Sequence, residues 1–245
     1  MPETDHPNVA IVTGGSSGVG RATAPLLAAA GYHVALAARS ADKLEQAAEE
    51  TRAVAAEGVK VLAIPTDVTD HDAVNRLVEA TVESFGGITA LCNVAGHAPL
   101  GPIQSITSDE WSRCIDVNLS SVIYTTQAVW KPMRKTGGTI VNVSSMASID
   151  PFKGFAMYAA AKIGVNMFTK ATADEGARPG IKAVCLAPGA IETPMLRQNF
   201  NEKVIHPDHA LDPAEFGQII VDLVLGTRDY TPGETLVVEA PQPVA

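Results

Sequence analysis

Short apolar runs alternate along this chain with longer segments rich in alanine and charged residues. Several runs are apolar on both faces, which is typical of strands covered by helices on each side of a sheet. We predict strands at Val9 to Thr13, His33 to Ala37, Val59 to Pro65, Ala90 to Asn93, Thr139 to Val143, Lys182 to Leu186 and Thr235 to Val238.

The segments between these runs carry start and stop signals of helices. The predicted helices are residues 18 to 30, Ala41 to near Gly58 with Ser40 as cap, Asp70 to Phe85, Ser108 towards Met133, and Ala214 to Leu225 with Pro213 in the first turn. Pro25 falls inside the first helix and is expected to bend it. Strict alternation predicts an α/β fold with a doubly wound parallel sheet of about seven strands and helices on both faces. Without repeats or linkers, residues 1–245 are expected to form a single domain.

Composition excludes several classes of function. The chain is 46% apolar and 18% charged, which suffices for one large core. Its net charge of −9 argues against binding nucleic acid or an anionic membrane, because phosphate contact needs clustered lysine and arginine. No apolar run approaches the ~20 residues that span a bilayer. The polar start MPETDHPN is not that of a signal peptide.

Cysteine and histidine patterns give no sign of a metal site. Cys92, Cys114 and Cys185 are odd in number and widely spaced, so we interpret them as reduced core thiols of a cytoplasmic protein rather than metal ligands or a catalytic thiol. His206 and His209 have no third ligand candidate at motif spacing, so no metal is expected.

A glycine-rich turn, TGGSSGVG at residues 13 to 20, directly follows the first strand. Gly14, Gly18 and Gly20 would let the backbone turn tightly and approach a pyrophosphate, and the next helix would point its N–H groups at the phosphates. Many strand–helix connections need a glycine, so the turn alone does not establish dinucleotide binding. Its position between the first strand and a helix favours dinucleotide binding.

The stretch MYAAAKI places Tyr158 and Lys162 four residues apart. If the stretch is helical, as its alanines favour, the phenol and the ammonium share one face. A partly buried tyrosine beside a snorkelling lysine is the common alternative. The rest of the chain has to distinguish the two.

Seven elements together resemble the short-chain dehydrogenase/reductase family in its compact form, over essentially the whole chain. They are TGGSSGVG at 13 to 20, Asp67-Val68, NVAG at 93 to 96, Asn118 in DVNLSS, Ser144-Ser145, Tyr158-x-x-x-Lys162, and PGAIET at 188 to 193. The resemblance implies a Rossmann-like fold with the ligands at the carboxyl ends of the strands. NVAG replaces the family's usual NNAG, and VVEAPQPVA replaces its glycine-rich closing segment, which leaves C-terminal contacts open.

The resemblance implies hydride transfer between a nicotinamide and a ketone or secondary alcohol, with Tyr158 as general acid and base. Lys162 is expected to lower the pKa of the phenol and to hold the nicotinamide ribose. Ser145, or alternatively its neighbour Ser144, would bind the carbonyl oxygen. Asn118 would interrupt its helix and hold a water that links Lys162 to bulk solvent; a solvent-facing asparagine is the alternative.

The resemblance also implies a set of cofactor contacts. They fall on Gly14, Ser16, Ser17, Gly18, Val19, Gly20, Arg39, Asp67, Val68, Asn93, Ala95, Gly96, Tyr158, Lys162, Pro188, Gly189, Ile191 and Thr193. Asp67 would accept from the adenine amino group, although TDVTD is also a plausible helix start. Ala38 stands where members that use NAD tend to carry an acidic residue, and Arg39 can bind a 2′-phosphate. We therefore expect NADP(H), with NAD(H) and a plain surface arginine as the alternatives.

Two other functions are compatible with such a fold. A non-catalytic nucleotide sensor would be expected to lose the tyrosine or the lysine, whereas Asn118, Ser145, Tyr158 and Lys162 all stand here. Epimerases and dehydratases of related fold usually carry a larger C-terminal region than the about fifty residues that follow PGAIET. The sequence therefore favours an oxidoreductase.

Two helical segments predict self-association. Ser121 to Met133 and Met157 to Phe168 carry more apolar residues than one core-facing stripe needs, which indicates a second buried face. The extra residues are Val122, Ile123, Val129, Trp130, Val165 and Phe168. The resemblance points to the same helices as a dimer contact and implies a homotetramer.

The substrate is expected to be mostly apolar and small, beneath a lid at about residues 190–212 that closes over bound ligand. The candidate lining residues are Met146, Ile149, Phe152, Phe155, Pro99, Leu100, Met195, Leu196 and Phe200. Positive candidates are few, namely His97, Lys153, Arg197 and Lys203. A phosphorylated or multiply anionic substrate would need several converging cations, so we expect a predominantly apolar ketone or secondary alcohol of modest size instead.

Overall fold

All the strands of the sheet run parallel. A computed structural model describes residues 7–241, and most of MPETDHPN and the end of VVEAPQPVA lie outside them. The strands are β1 (Val9–Thr13), β2 (His33–Ala38), β3 (Val61–Pro65), β4 (Ala90–Asn93), β5 (Gly138–Val143), β6 (Ile181–Pro188) and β7 (Thr235–Val238). Their order across the sheet is β3-β2-β1-β4-β5-β6-β7. The predicted doubly wound α/β fold is confirmed.

The helices that connect these strands are α1 (Gly18–Ala29), α2 (Ala41–Val54), α3 (His71–Phe85), α4 (Ser108–Ile115), α5 (Ser121–Thr136), α6 (Ala156–Gly176), α7 (Pro194–Asn199) and α8 (Pro213–Leu225). The long helix expected from Ser108 is divided, because a π-helical turn at Asp116–Ser120 separates α4 from α5. Shorter 3₁₀ turns occur at Ile103–Ser105, Met146–Ser148 and Pro207–His209. Pro25 lies inside α1, which continues past it.

The helix starts follow the capping residues, with two corrections. Asp70 accepts hydrogen bonds from the backbone N–H groups of Asp72 and Ala73 at the start of α3. Thr107 rather than Ser108 caps α4, in a reciprocal capping box with Glu110. Ser40 occupies the N-cap position of α2, but its side chain makes no capping hydrogen bond.

Hydrophobic cores cover both faces of the sheet. Ala10 and Val12 of β1 face the core beneath α1, α2 and α8, whereas Val9 and Ile11 face the core beneath α3, α5 and α6. Cys92, Cys114 and Cys185 are buried free thiols. Within residues 7–241, no helix is long and apolar enough to cross a membrane, and no three potential metal ligands come together. The carboxyl ends of the strands remain open, where the chemically distinctive residues lie.

Candidate active site

The glycine-rich turn after β1 is packed so closely that side chains would not fit. Gly14 has a φ of +70°, and a Cβ there would lie 3.0 Å from the backbone of Ala95. A Cβ at Gly20 would lie 2.5 Å from the carbonyl oxygen of Gly14. The hydroxyl of Ser17 does not cap α1. The backbone N–H groups in the first turn of α1 are therefore not bonded to the Ser17 side chain. A phosphate site at the start of a helix requires N–H groups of this kind.

The turn NVAG after β4 is held by Thr13. The Thr13 hydroxyl accepts from the backbone N–H groups of Val94 at 3.0 Å and Ala95 at 3.1 Å. It also donates to the carbonyl oxygen of Cys92 at 3.4 Å. Sequence reasoning assigned no role to this threonine, which fixes the two turns against each other.

The side chain of Asn93 has a structural role, and its expected cofactor contact stays a prediction. Its Nδ2 donates to Oδ1 of Asn142 at 2.9 Å, and its Oδ1 accepts from the Thr125 hydroxyl at 2.8 Å. Asn142 in turn donates to the Thr169 hydroxyl at 2.8 Å. Both ends of the Asn93 carboxamide are used, so the buried network joins β4 and β5 to α5 and α6.

Asn118 lies at the centre of the π-helical turn and is fully buried. Its Nδ2 donates to the carbonyl oxygens of His97 at 2.6 Å and Cys114 at 2.9 Å, and its Oδ1 accepts from the His97 N–H at 3.0 Å. The expected interruption of the helix is present, and the solvent-facing alternative is excluded. A Cβ on Gly96 would lie 3.3 Å from this Oδ1 and 3.9 Å from Nζ of Lys162, so the two groups approach one point.

Ser145, Tyr158 and Lys162 converge at the end of β5. The Ser145 side chain hydrogen-bonds Tyr158. Nζ of Lys162 lies 5.6 Å from the centre of the Tyr158 ring and donates to the carbonyl oxygen of Val143 at 2.8 Å. Ser144 instead donates to the carbonyl oxygen of Lys162 at 3.1 Å. Of the two candidate serines, only Ser145 contacts the phenol.

Burial controls the protonation of both groups. Desolvation raises the pKa of Tyr158 to about 12, although the hydrogen bond with Ser145 opposes this shift. Desolvation lowers the pKa of Lys162 to about 8. Desolvation is the largest influence on the pKa of the phenol, and the expected lowering by Lys162 stays a prediction. With this pKa, Tyr158 carries its proton at neutral pH.

A cavity of about 610 Å³ opens over these residues. The expected cofactor residues in its lining are Gly14, Ser17, Gly18, Val19, Ala95, Gly96, Tyr158, Lys162, Pro188, Gly189, Ile191 and Thr193. Ser16, Gly20, Arg39, Asp67, Val68 and Asn93 are outside the lining. Glu239 and Pro241 do line it, so the closing segment of the chain forms a wall that sequence reasoning had left open.

Two arginines stand near Asp67, at the end of β3. Burial opposes ionisation of Asp67, yet hydrogen bonds from Thr69 and the charges of Arg39 and Arg113 hold its pKa below the usual value. Burial and the same two arginines lower the pKa of His97. Asp67 accepts from the Thr69 N–H and hydroxyl through Oδ1, so it is a turn residue whatever else it binds. Arg113, on α4, was not foreseen from the sequence.

The segment expected to form a lid contains α7 and is organised around Arg197. This arginine pairs with Glu192 and donates to the carbonyl oxygens of Ile205 at 2.7 Å and Phe200 at 3.3 Å. Asn199 donates to the carbonyl oxygen of Ala98 at 2.7 Å and so joins the segment to the loop after β4. Arg197 is thereby committed to internal contacts and is not free to bind a substrate anion.

Most of the apolar residues expected around the substrate do line the cavity. These are Met146, Phe152, Phe155, Met195, Leu196 and Phe200. Pro99, Leu100 and Ile149 are outside the lining, and the side chains of Leu100 and Ile149 are exposed. Leu100 packs on Gly154 instead: a Cβ at this glycine would lie 2.8 Å from Cδ1 of Leu100.

A further set of contacts ties Ser145 to α6. Nδ2 of Asn166 donates to the Ser148 hydroxyl at 2.9 Å, which donates to the carbonyl oxygen of Ser145 at 2.7 Å. Oδ1 of Asn166 accepts from the Cys185 thiol at 3.4 Å. Asn166 follows Lys162 by one helical turn, and this spacing was the only signal in the sequence.

Comparisons with known proteins agree with this geometry. The profile of a family described as short chain dehydrogenase matches residues 8–204. An uncharacterized oxidoreductase of Staphylococcus aureus strain N315 is 36% identical over 186 residues, which cover 76% of this chain and 78% of the relative. The 3beta-hydroxysteroid dehydrogenase 1 of Eggerthella lenta is 35% identical over 239 residues, which cover 94% of this chain and 91% of the relative.

Solved structures with a similar fold include two that are named reductases. Levodione reductase superposes with a TM-score of 0.86 at 31% identity, covering 95% of this chain and 96% of that one. A single-residue variant of actinorhodin polyketide ketoreductase with NADPH superposes with a TM-score of 0.88 at 28% identity, covering 98% of each chain. The predicted family and the prediction of an enzyme are confirmed. This chain belongs to the short-chain dehydrogenase family of oxidoreductases.

Proposed function

We propose that this protein is an NADP(H)-dependent oxidoreductase that transfers a hydride between the nicotinamide and a ketone or secondary alcohol. The observation that carries the proposal is the convergence of Ser145, Tyr158 and Lys162 on one cavity. The glycine-rich turn supports dinucleotide binding, because Gly14, Ser17 and Gly18 line the same cavity at the start of α1.

Each polar group of the site has a distinct task in this proposal. The bound nicotinamide supplies or accepts the hydride. Tyr158 donates its proton to the carbonyl oxygen during reduction, and its raised pKa of about 12 keeps the phenol protonated at neutral pH. The Ser145 hydroxyl binds the same oxygen as negative charge develops there. Lys162 holds the ribose, and Asn118 keeps the proposed water through which the proton is replaced.

The preference for NADP(H) rests on Arg39 at the end of β2. Its side chain is exposed, and its charge acts on Asp67. A guanidinium can bind a 2′-phosphate in bidentate fashion. The structure of the actinorhodin ketoreductase contains NADPH, which agrees with this choice. NAD(H) remains the alternative, because Ser16 and Ser17 leave the glycine-rich turn without a basic residue.

The proposed substrate is a mostly apolar ketone or secondary alcohol under a lid at about residues 190–212. Phe155, Met195 and Phe200 are among the apolar residues that line the cavity. Arg197 is paired with Glu192, which removes one of the few cations that a phosphorylated substrate would need. A hydroxysteroid dehydrogenase and a polyketide ketoreductase among the similar proteins are consistent with this class.

We also propose that the protein is a cytoplasmic homotetramer. Of the six apolar residues named for the second face, Val122, Val129 and Val165 are instead buried in the cores of this chain. Ile123, Trp130 and Phe168 are half-buried and line a groove between α5 and α6. Half-buried apolar side chains along two adjacent helices suit contact with a second copy of the chain. The three buried free thiols are compatible with a reducing compartment.

Replacement of Tyr158 by phenylalanine tests the proposed function. The ring packing is kept and the transferable proton is lost, so the variant should fold and bind NADPH but lose more than about nine-tenths of its turnover. Turnover is followed by absorbance of the reduced nicotinamide with a panel of ketones, and binding by calorimetry. Tyr124→Phe, which removes a hydroxyl from α5, is the matched control and should keep full activity. A Tyr158→Phe enzyme with substantial turnover would refute the assignment.

A further inference from the structure

A line of aromatic rings leads from the surface to Tyr158. Phe152 is 63% exposed, and its ring centre lies 6.4 Å from that of Phe155. Phe155 is only 7% exposed, and its ring centre lies 5.5 Å from that of Tyr158. The apolar wall of the cavity therefore continues from the proposed proton donor to solvent.

The segment around α7 contributes residues to the lining of the same cavity. The ring of Phe200 lies 5.9 Å from that of Phe155. Val204 lines the cavity as well and is 64% exposed. Two segments of the chain therefore each place an exposed apolar side chain in the lining. They are the loop after β5, with Phe152, and the segment after β6, with Val204.

Single exposed apolar residues are common on protein surfaces and need no explanation. Phe152 and Val204 differ because both line one cavity and both continue its apolar wall outwards. Exposed apolar surface at the edge of a pocket is typical of ligand-binding grooves. The nearby polar Asn199 is already committed to the carbonyl oxygen of Ala98, so it does not change this character.

The size of the cavity also indicates that a large apolar substrate would extend beyond it. Its volume of about 610 Å³ includes the space beside Gly14, Pro188 and Thr193, where the proposed cofactor would bind. Only part of the volume therefore remains for the substrate. An apolar substrate that exceeds this remainder has to leave the cavity past Phe152 and Val204.

We propose that the substrate is longer than the cavity, with its carbonyl at Ser145 and Tyr158 and an apolar chain or ring system that emerges to cover Phe152 and Val204. The inference rests on the proposed function and narrows its substrate class from mostly apolar ketones and secondary alcohols to those with an extended apolar body. The exposed carboxylate of Glu239 in the lining disfavours an anionic body.

A series of methyl n-alkyl ketones of increasing length tests this inference, with kcat/KM measured at saturating NADPH. The wild-type value should rise by about three- to four-fold for each added methylene, and the rise should continue for members too long for the cavity. Phe152→Ala and Val204→Ala should each lower kcat/KM for the longest ketones by about ten-fold and for the shortest by less than about two-fold. Val54→Ala, which truncates an exposed apolar residue at the end of α2, is the matched control and should leave the whole series unchanged.

Three results would overturn the inference. The first is a plateau of kcat/KM at a chain length that the cavity already holds. The second is an equal effect of Phe152→Ala on short and long ketones. The third is a loss of assembly in that variant by light scattering with no dependence on chain length, since a second copy of the chain would then cover the ring. Absence of turnover by the wild type with every ketone would refute the proposed function itself, and the inference with it.

Discussion

Replacing Lys162 by methionine should make the stability of the protein less dependent on pH. Lys162 is 3% exposed, and burial lowers its pKa from the ordinary 10.5 to about 8. Between these two values the unfolded chain binds more protons than the folded protein, so stability rises with pH in this window. Below the window both states are protonated, and the folded protein bears the full cost of the buried charge.

The magnitude follows from the size of the shift. A difference of about 2.5 pKa units corresponds to about 3 kcal/mol at pH 7, of which about 1 kcal/mol remains at pH 10. The wild type should therefore gain about 2 kcal/mol from Lys162 between these pH values, and Lys162→Met should lack this gain. Methionine also loses the hydrogen bond to Val143, but that loss does not change with pH. Tyr158, whose raised pKa lowers stability above about pH 10, is present in both proteins and cancels.

The measurement is urea unfolding of both proteins at about pH 7 and about pH 10, at one fixed protein concentration because an oligomer unfolds in a concentration-dependent way. The advantage of Lys162→Met over the wild type should shrink by about 2 kcal/mol across this range. Lys182→Met, at an exposed position of β6, is the control and should show no such change. A constant difference between Lys162→Met and the wild type would refute the conclusion that the ammonium is desolvated.

Three further predictions follow from the site and the helix faces. Arg39→Ala should raise KM for NADPH by more than about ten-fold and change KM for NADH by less than about two-fold; initial rates check this, and a wild-type preference for NADH would contradict it. Asn166→Ala should lower kcat because it releases the Ser145 loop from α6. It should have no further effect in a Ser145→Ala background, and additive effects in this double-mutant cycle would show that Asn166 does not act through Ser145. Light scattering should give a tetramer at micromolar concentration that Trp130→Glu dissociates; a monomeric wild type would exclude the proposed assembly.

The strands were predictable because their signal is local. A strand buried on both faces shows as a continuous apolar run, and β1 and β4 begin and end where such runs do. The motifs also placed Ser145, Tyr158 and Lys162 at the same edge of the sheet. Parallel strands gather their carboxyl ends, so the order of motifs along the chain suffices for this.

What the sequence could not predict depends on contacts between distant residues. The pKa of Tyr158 is set by burial, which the pattern YAAAK does not report. Asn93 belongs to a motif, yet its partners Asn142 and Thr125 lie on other elements and carry no motif of their own. Arg113 acts on Asp67 from α4, an element far from Asp67 along the chain, and no motif indicates this contact.

The buried network of Asn93, Asn142, Thr125 and Thr169 limits how this sequence can change over evolutionary time. Loss of one partner would leave a buried polar group unsatisfied, at a cost of about 1–3 kcal/mol, whereas replacing partners together by apolar groups of matching shape can be nearly neutral. In an alignment of relatives, these four positions should therefore vary together. A lineage that abandons the network would pass through a less stable intermediate unless the substitutions arise together. Selection should act on the four residues as a group, although they span 77 positions of the chain, from Asn93 to Thr169.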